Sequence, residues 1–151
     1  MKAIIRNDIK SKLSSLSQLY IDDQSKLLMN RLNDLNIFKE TSVLSTYLSM
    51  PNEISTYNII NKSFQLDKRI FIPKILGKNS IDMFMLEITS MDMLTSFTKN
   101  NWGIPEPSIE LVSKSIDGTY QGIIDLVLVP GVAFDSKCGR IGHGKGYYGK
   151  F

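Results

Sequence analysis

Apolar positions change period several times along the chain, and each change predicts an element. Ile5, Ile9, Leu13 and Leu16 recur at spacings of four and three, which places them on one face of a helix over residues 2–16. A second helix is expected from about Asp22, a suitable N-cap, with Leu27, Leu28, Leu32 and Leu35 as its buried face and Asn36 at its close. Residues 43–48 (Val-Leu-Ser-Thr-Tyr-Leu) are short, β-branched and aromatic, and read as a strand. A helix over 57–66 follows, capped by Ser55 or Thr56, with Ile59, Ile60 and Phe64 facing in. Arg69–Ile75 reads as a second strand interrupted near its end by Pro73, residues 81–86 as a weak third, and 91–97 as a short helix. Residues 100–107 contain two prolines and must be extended or turned. Residues 123–129 (Ile-Ile-Asp-Leu-Val-Leu-Val) form the clearest strand, and their near-continuous apolar run suggests burial on both faces in the middle of a parallel sheet. Strands alternating with helices predict an α/β fold with helices on both sides of the sheet. Ligands in such folds gather at the carboxyl ends of the strands, so the residues after Val129 matter most.

The chain has 151 residues, 42% apolar and 22% charged, the balance of one compact domain rather than a disordered chain. A net charge of +3, spread along the sequence, does not point to nucleic acid but suits an anionic ligand. With one cysteine, Cys138, and one histidine, His143, a structural zinc site and an internal disulfide are both excluded. No apolar run approaches the roughly 18 residues that span a bilayer, and no secretory segment opens the chain. The cytoplasm is the default expectation; the basic N-terminus leaves a mitochondrial address open, with Asp8 against it.

Five of the ten glycines lie between positions 139 and 149, in Gly139-Arg-Ile-Gly-His-Gly-Lys-Gly-Tyr-Tyr-Gly149. Glycines let backbone N–H groups approach a ligand, consecutive N–H groups form an anion-binding nest, and Arg140 and Lys145 add charge. Read alone, the segment is a phosphate cradle or a flexible turn. Residues 139–145 match the first seven positions of a P-loop, but Gly146 stands where Ser or Thr is required. Gly144-x-Gly146-x-x-Gly149 matches a dinucleotide fingerprint but does not follow a strand directly. Both are chance matches.

Residues 125–135, Asp-Leu-Val-Leu-Val-Pro-Gly-Val-Ala-Phe-Asp, followed by Gly139-Arg-Ile-Gly-His-Gly-Lys-Gly-Tyr-Tyr148, resemble the signature of the 5-formyltetrahydrofolate cyclo-ligase family. Three further segments match in order: Lys2 and Arg6 resemble a basic pair on the family's first helix, Tyr47-Leu-Ser-Met-Pro-Asn-Glu53 its folate-binding loop, and Trp102-Gly-Ile-Pro-Glu-Pro107 its Trp–Pro segment. The resemblance runs over residues 1–151 and implies one three-layer domain, a mostly parallel sheet flanked by helices on both faces.

The activity it implies is ATP- and Mg2+-dependent cyclisation of 5-formyltetrahydrofolate to 5,10-methenyltetrahydrofolate, releasing ADP and phosphate. It implies ATP binding by Lys2, Arg6 and the loop Arg140, Ile141, Gly142, His143, Gly144, Lys145, Gly146, Tyr147 and Tyr148. Folate binding would fall to Leu48, Glu53, Trp102, His143, Gly144, Lys145, Gly146 and Tyr147, with Lys145, Arg140 and Tyr147 as catalytic candidates. Without the resemblance, Lys2 and Arg6 read as a solvated helix face, Glu53 as an exposed loop acid and Trp102 as a core residue. Asp135 reads as a loop-structuring carboxylate.

Two departures stand out. The family places a magnesium-binding Asp after Gly-Tyr-Tyr, where this chain has Gly149, and its members continue further, so that C-terminal strands and a second metal-binding Asp are expected to be missing here. The substrate, free or polyglutamylated, is the expected small-molecule partner, with neither nucleic acid nor membrane, and the chain is taken as a monomer. The alternatives are a kinase or ligase acting on another small acid, and a catalytically impaired folate-binding paralogue or fragment.

Overall fold

The computed structural model describes residues 1–77, 83–119 and 122–149. Helices α1 (Lys2–Ser14), α2 (Gln18–Asp34) and α3 (Asn36–Glu40) lead into strand β1 (Val43–Thr46). Helix α4 (Tyr57–Gln65), strands β2 (Arg69–Ile75) and β3 (Met83–Ile88) and helix α5 (Met91–Ser96) follow. A small hairpin, β4 (Thr98–Lys99) with β5 (Pro105–Glu106), precedes α6 (Ile109–Ser113). The chain then enters β6 (Leu126–Leu128), a second hairpin of β7 (Ala133–Phe134) with β8 (Arg140–Ile141), and a 3-10 turn, Tyr147–Gly149.

The main sheet has the order β3-β2-β1-β6. β1 is parallel to both β2 and β6, while β3 runs antiparallel to β2. This is the expected α/β, mostly parallel sheet with helical segments on both faces. On one face Leu44, Ile70, Ile72, Leu86 and Ile88 meet Ile59 and Ile60 of α4, Leu94 of α5, and Met29, Leu32 and Phe38 of α2 and α3. On the other, Val43, Phe71, Met83 and Met85 are covered by Ile123, Ile124 and the 3-10 turn through Tyr147 and Tyr148. Burial of side chains this size contributes on the order of 2 kcal/mol each.

Several boundaries differ from expectation for identifiable reasons. α2 starts at Gln18 rather than near Asp22, because the Ser17 hydroxyl accepts the Tyr20 N–H at 3.2 Å. Its buried stripe is Ile21, Ser25, Met29 and Leu32. Leu27, Leu28 and Leu35 are largely exposed, and Asn36 opens α3 instead of closing α2. Pro73 does not interrupt β2, which stays paired through Pro73↔Met85. β1 pairs β2 only as far as Phe71, so Pro73 sits where the strand has one bonded neighbour and its missing N–H costs nothing. The third strand is shifted to Met83–Ile88, residues 81 and 82 of the expected span lying outside the described residues. Among the described residues β6 stands at the edge of the sheet, where the sequence suggests a central strand. The apolar run that suggested two-sided burial divides its work: Leu126 and Leu128 pack on the helical layer, Ile123 and Ile124 on the opposite face before the strand begins.

Among the described residues, no helix is long and apolar enough to cross a membrane.

Candidate functional site

Three parallel strands, β2, β1 and β6, deliver their carboxyl ends to the same side of the molecule. Between β1 and β6 the strand order reverses, the position at which open α/β sheets bind ligands. A cleft of about 850 Å3 opens there, with Tyr47, Glu53, Val129 and Arg140 among its walls and Leu13 and Leu28 of the first two helices closing its far side.

The segment after β6 is built by its own side chains. Asp135 Oδ1 accepts the N–H groups of Lys137 and Gly139 at 2.8 and 2.7 Å, the loop-structuring role expected of it. A Cβ at Gly139 would lie 2.5 Å from Asp135 Oδ2, so only glycine allows this closure. Gly139 and Ile141 therefore belong to the β7–β8 hairpin, and the open glycine loop is residues 142–146. Gly144 and Gly146 hold φ of +103° and +77°, the left-handed region that favours glycine.

The loop is held at two adjacent residues. Arg6 Nε donates to the Gly142 carbonyl at 2.8 Å from α1, and His143 Nε2 lies 3.0 Å from Glu53 Oε1. Beyond these points, among the described residues, the amides of residues 142–146 donate to no backbone carbonyl. Lys145, between the two left-handed glycines, is exposed and makes no ion pair with a described residue. Unengaged amides in a glycine loop beside a lysine form an anion nest. Arg140 donates to the Pro130 carbonyl at 2.7 Å and lies 5.8 Å from the Tyr148 ring, and Tyr147 donates to the Gly77 carbonyl at 3.4 Å.

Tyr47, which the sequence reading did not single out, joins this group. Its phenol donates to the Ile54 carbonyl at 3.5 Å and is pushed up to about 12 by burial, with Glu53 adding. Burial also raises the Tyr148 phenol, aided by Tyr47 and Glu53 and opposed by Arg140. Both phenols stay protonated at neutral pH and offer O–H donors. The available signal was position: Tyr47 directly follows β1 and opens the Tyr-Leu-Ser-Met-Pro-Asn-Glu segment.

Other expected site residues stand apart. Lys2 is exposed at the start of α1. Leu48 is buried in the core beside Ile60 and Ile72 rather than facing the cleft. Trp102 is 69% exposed in the β4–β5 hairpin, which Glu106 ties to Lys74 near the end of β2 at 2.7 Å. No group of three His, Cys, Asp or Glu side chains converges on a metal position among the described residues. Gly149 offers no side-chain oxygen, Asp135 is spent on its own turn, and Glu53 holds His143 and the Met50 N–H. These donors do not fit a protein-held magnesium ion.

The fold and the site define an α/β protein whose sheet carries a cleft at its switch point, with a glycine loop and a carboxylate-bearing loop beside it. The profile of the 5-formyltetrahydrofolate cyclo-ligase family matches residues 1–151. The chain is 35% identical over 148 residues to the probable 5-formyltetrahydrofolate cyclo-ligase of Schizosaccharomyces pombe, covering 97% of this chain and 69% of that protein. It is 33% identical to the probable 5-formyltetrahydrofolate cyclo-ligase of Caenorhabditis elegans, covering 100% and 72%. The NMR structure of Aquifex aeolicus 5,10-methenyltetrahydrofolate synthetase shares the fold, with a TM-score of 0.77 at 24% identity over 99% of this chain and 70% of that one. The protein belongs to the 5-formyltetrahydrofolate cyclo-ligase family.

Proposed function

We propose that the chain cyclises 5-formyltetrahydrofolate to 5,10-methenyltetrahydrofolate, cleaving ATP to ADP and phosphate. The observation that carries this reading is the contact between His143 Nε2 and Glu53 Oε1 at 3.0 Å, which sets an unengaged anion nest, residues 142–146 with Lys145, beside a carboxylate that lines the cleft.

The chemistry suits these parts. The N5 formyl group is an amide whose oxygen leaves poorly. That oxygen attacks the γ-phosphorus of ATP and the bond to ADP breaks. N10 then attacks the formyl carbon and loses its proton, the C–O bond breaks, and the oxygen departs with phosphate. The protein forms no covalent bond; it must align the two ligands and neutralise charge that grows on phosphoryl oxygens. Lys145 and the loop amides are assigned to the γ-phosphate. Arg6 holds the nest in shape through Gly142, and Arg140 and Tyr148 line its approach. Glu53 accepts donors of the pterin ring. Tyr147 borders the folate side. Any magnesium would have to be held by the nucleotide, because the described residues offer no carboxylate cluster for it. A cytosolic address and a monomeric state complete the reading.

The test is to mix the purified chain with 5-formyltetrahydrofolate, ATP and magnesium and follow product by its near-ultraviolet absorbance. An ATP-dependent rise supports the reading. A folded chain that binds 5-formyltetrahydrofolate by calorimetry but gives no rise refutes it. That result would favour a folate-binding protein without turnover, the reading to which Gly149 and the lack of a carboxylate cluster among the described residues lean.

A further inference from the structure

We infer that His143 is a positioning residue for Glu53, fixing its carboxylate in the orientation that receives the pterin ring; the inference rests on the assignment of Glu53 to folate. Glu53 is a constrained acid, its side chain only 15% exposed. Its Oε2 accepts the Met50 N–H at 2.9 Å while its own N–H donates to the Met50 carbonyl at 3.0 Å. One carboxylate oxygen is thus held by a local turn. The other is held by His143, 90 residues away. A carboxylate only accepts, so Nε2 carries the proton whether the ring is neutral or charged.

An ionised carboxylate has about four acceptor positions, and two are taken by Met50 and His143. Glu53 lines the cleft, whereas His143 does not. The imidazole therefore steadies the carboxylate without standing in the ligand's place and leaves acceptor positions for a ring that offers paired N–H groups. The other ionisable groups that interact with Glu53 are the Tyr47 and Tyr148 phenols, with Arg140 acting on Tyr148, and among the described residues His143 is the one ionisable side chain bonded to it. Delivery of the imidazole depends on the loop: Arg6 pins Gly142, and the chain turns sharply at Gly144 immediately afterwards. The ends of one short segment therefore serve two ligands, Lys145 toward the nucleotide and His143 toward the folate carboxylate.

The chain has one histidine, so its imidazole nitrogens can be read by 15N NMR without assignment. The expected result is the Nε2–H tautomer, lost in Glu53→Ala. In kinetics, His143→Ala should raise KM for 5-formyltetrahydrofolate by about tenfold, with kcat falling by less. His143→Gln, whose amide N–H can still donate, should recover most of the loss. An Nδ1–H tautomer in the folded protein overturns the inference, and so does an unchanged or lowered KM in His143→Ala. If the unmodified chain binds 5-formyltetrahydrofolate without turnover, the cyclisation reading fails while weaker calorimetric binding by His143→Ala still supports this one. No binding to the unmodified chain overturns both.

Discussion

Replacing Lys145 by Ala separates stability from chemistry more cleanly than any other change in the site. The side chain is exposed, flanked by Gly144 and Gly146 at φ +103° and +77°, and pairs with no described acid. Its removal leaves no buried group unsatisfied, so unfolding free energy should move by no more than about 0.5 kcal/mol. The same ammonium is assigned to phosphoryl charge in the transition state. At roughly 4 Å and an effective dielectric constant of about 20, a unit charge pair contributes about 4 kcal/mol. Removal of a preorganised donor in other enzymes costs about 3–4 kcal/mol, or on the order of 100- to 1,000-fold in kcat. The two estimates agree, and Lys145→Ala should lose about that factor in turnover with an unchanged thermal midpoint. Lys145→Arg should recover part of the rate, since the charge is kept and only its geometry changes. The assay is product absorbance under saturating ATP and folate, alongside thermal unfolding of each variant. A fall in kcat of less than about threefold would remove Lys145 from the transition state, because a charge near the γ-phosphate cannot be that silent.

Three further outcomes are expected. Gly118→Ala should destabilise the fold by about 2 kcal/mol, since the new Cβ would lie 2.6 Å from the Phe71 ring; a midpoint in denaturant equal to the unmodified chain would show that the ring yields freely. Gly149→Asp should fold normally, because an added Cβ there meets nothing within 4 Å, and should tighten the magnesium dependence of turnover or nucleotide binding; an unaltered metal titration would mean that position 149 does not face the metal. Hydrogen bonding from Arg69 holds the Glu87 carboxyl below its ordinary range, against burial. Its contribution is therefore present above about pH 4.5 and lost as pH falls through the lowered folded value. Both side chains are substantially exposed, so the pair contributes only about 0.5 kcal/mol. Glu87→Gln should be less stable by that amount near pH 7 and equal to the unmodified chain in acid, as read by denaturant unfolding at each pH.

Local pattern was legible where local physics decides. β2 falls at Arg69–Ile75 as the sequence reads, and α4 ends within one residue of expectation. In both, the apolar period and the cap or breaker lie within the element itself. α2 was harder because its buried stripe includes Ser25, whose hydroxyl is satisfied by the Ile21 carbonyl at 2.7 Å, while conspicuous leucines face outward. The edge position of β6 could not be read, because two-sided burial says only that both faces are covered, not that strands lie on both sides. The glycine loop was visible as composition and motif. Its two anchors were not, for Arg6–Gly142 and His143–Glu53 join residues 136 and 90 apart, and no spacing rule reaches across such distances. The burial of Leu48 in the core was not legible for the converse reason: an apolar residue beside a loop carries no mark that tells a ligand contact from a core contact.

The sheet closes in two unequal steps. β1, β2 and β3 pair with near neighbours in sequence across α4 and one short connection, so their loop-closure entropy is small. β6 must return from much farther, and Asp125 reaches back 82 residues to accept the Val43 N–H at 2.8 Å, together with the Ser42 N–H at 2.9 Å. Contacts of that separation form late, and β6, only partly buried along its length where β3 is mostly buried, opens more readily. The junction between β1 and β6 should therefore exchange its amide hydrogens faster than the β2–β3 ladder. The carboxyl ends of the same two strands, at Tyr47 and at Val127, Leu128 and Val129, line the cleft. A molecule bound in the cleft would touch Val127, Leu128 and Val129 together with the buried Ile21, Leu32 and Ile59, and so would act as a clasp between a late-arriving strand and the helical layer, slowing the exchange of both.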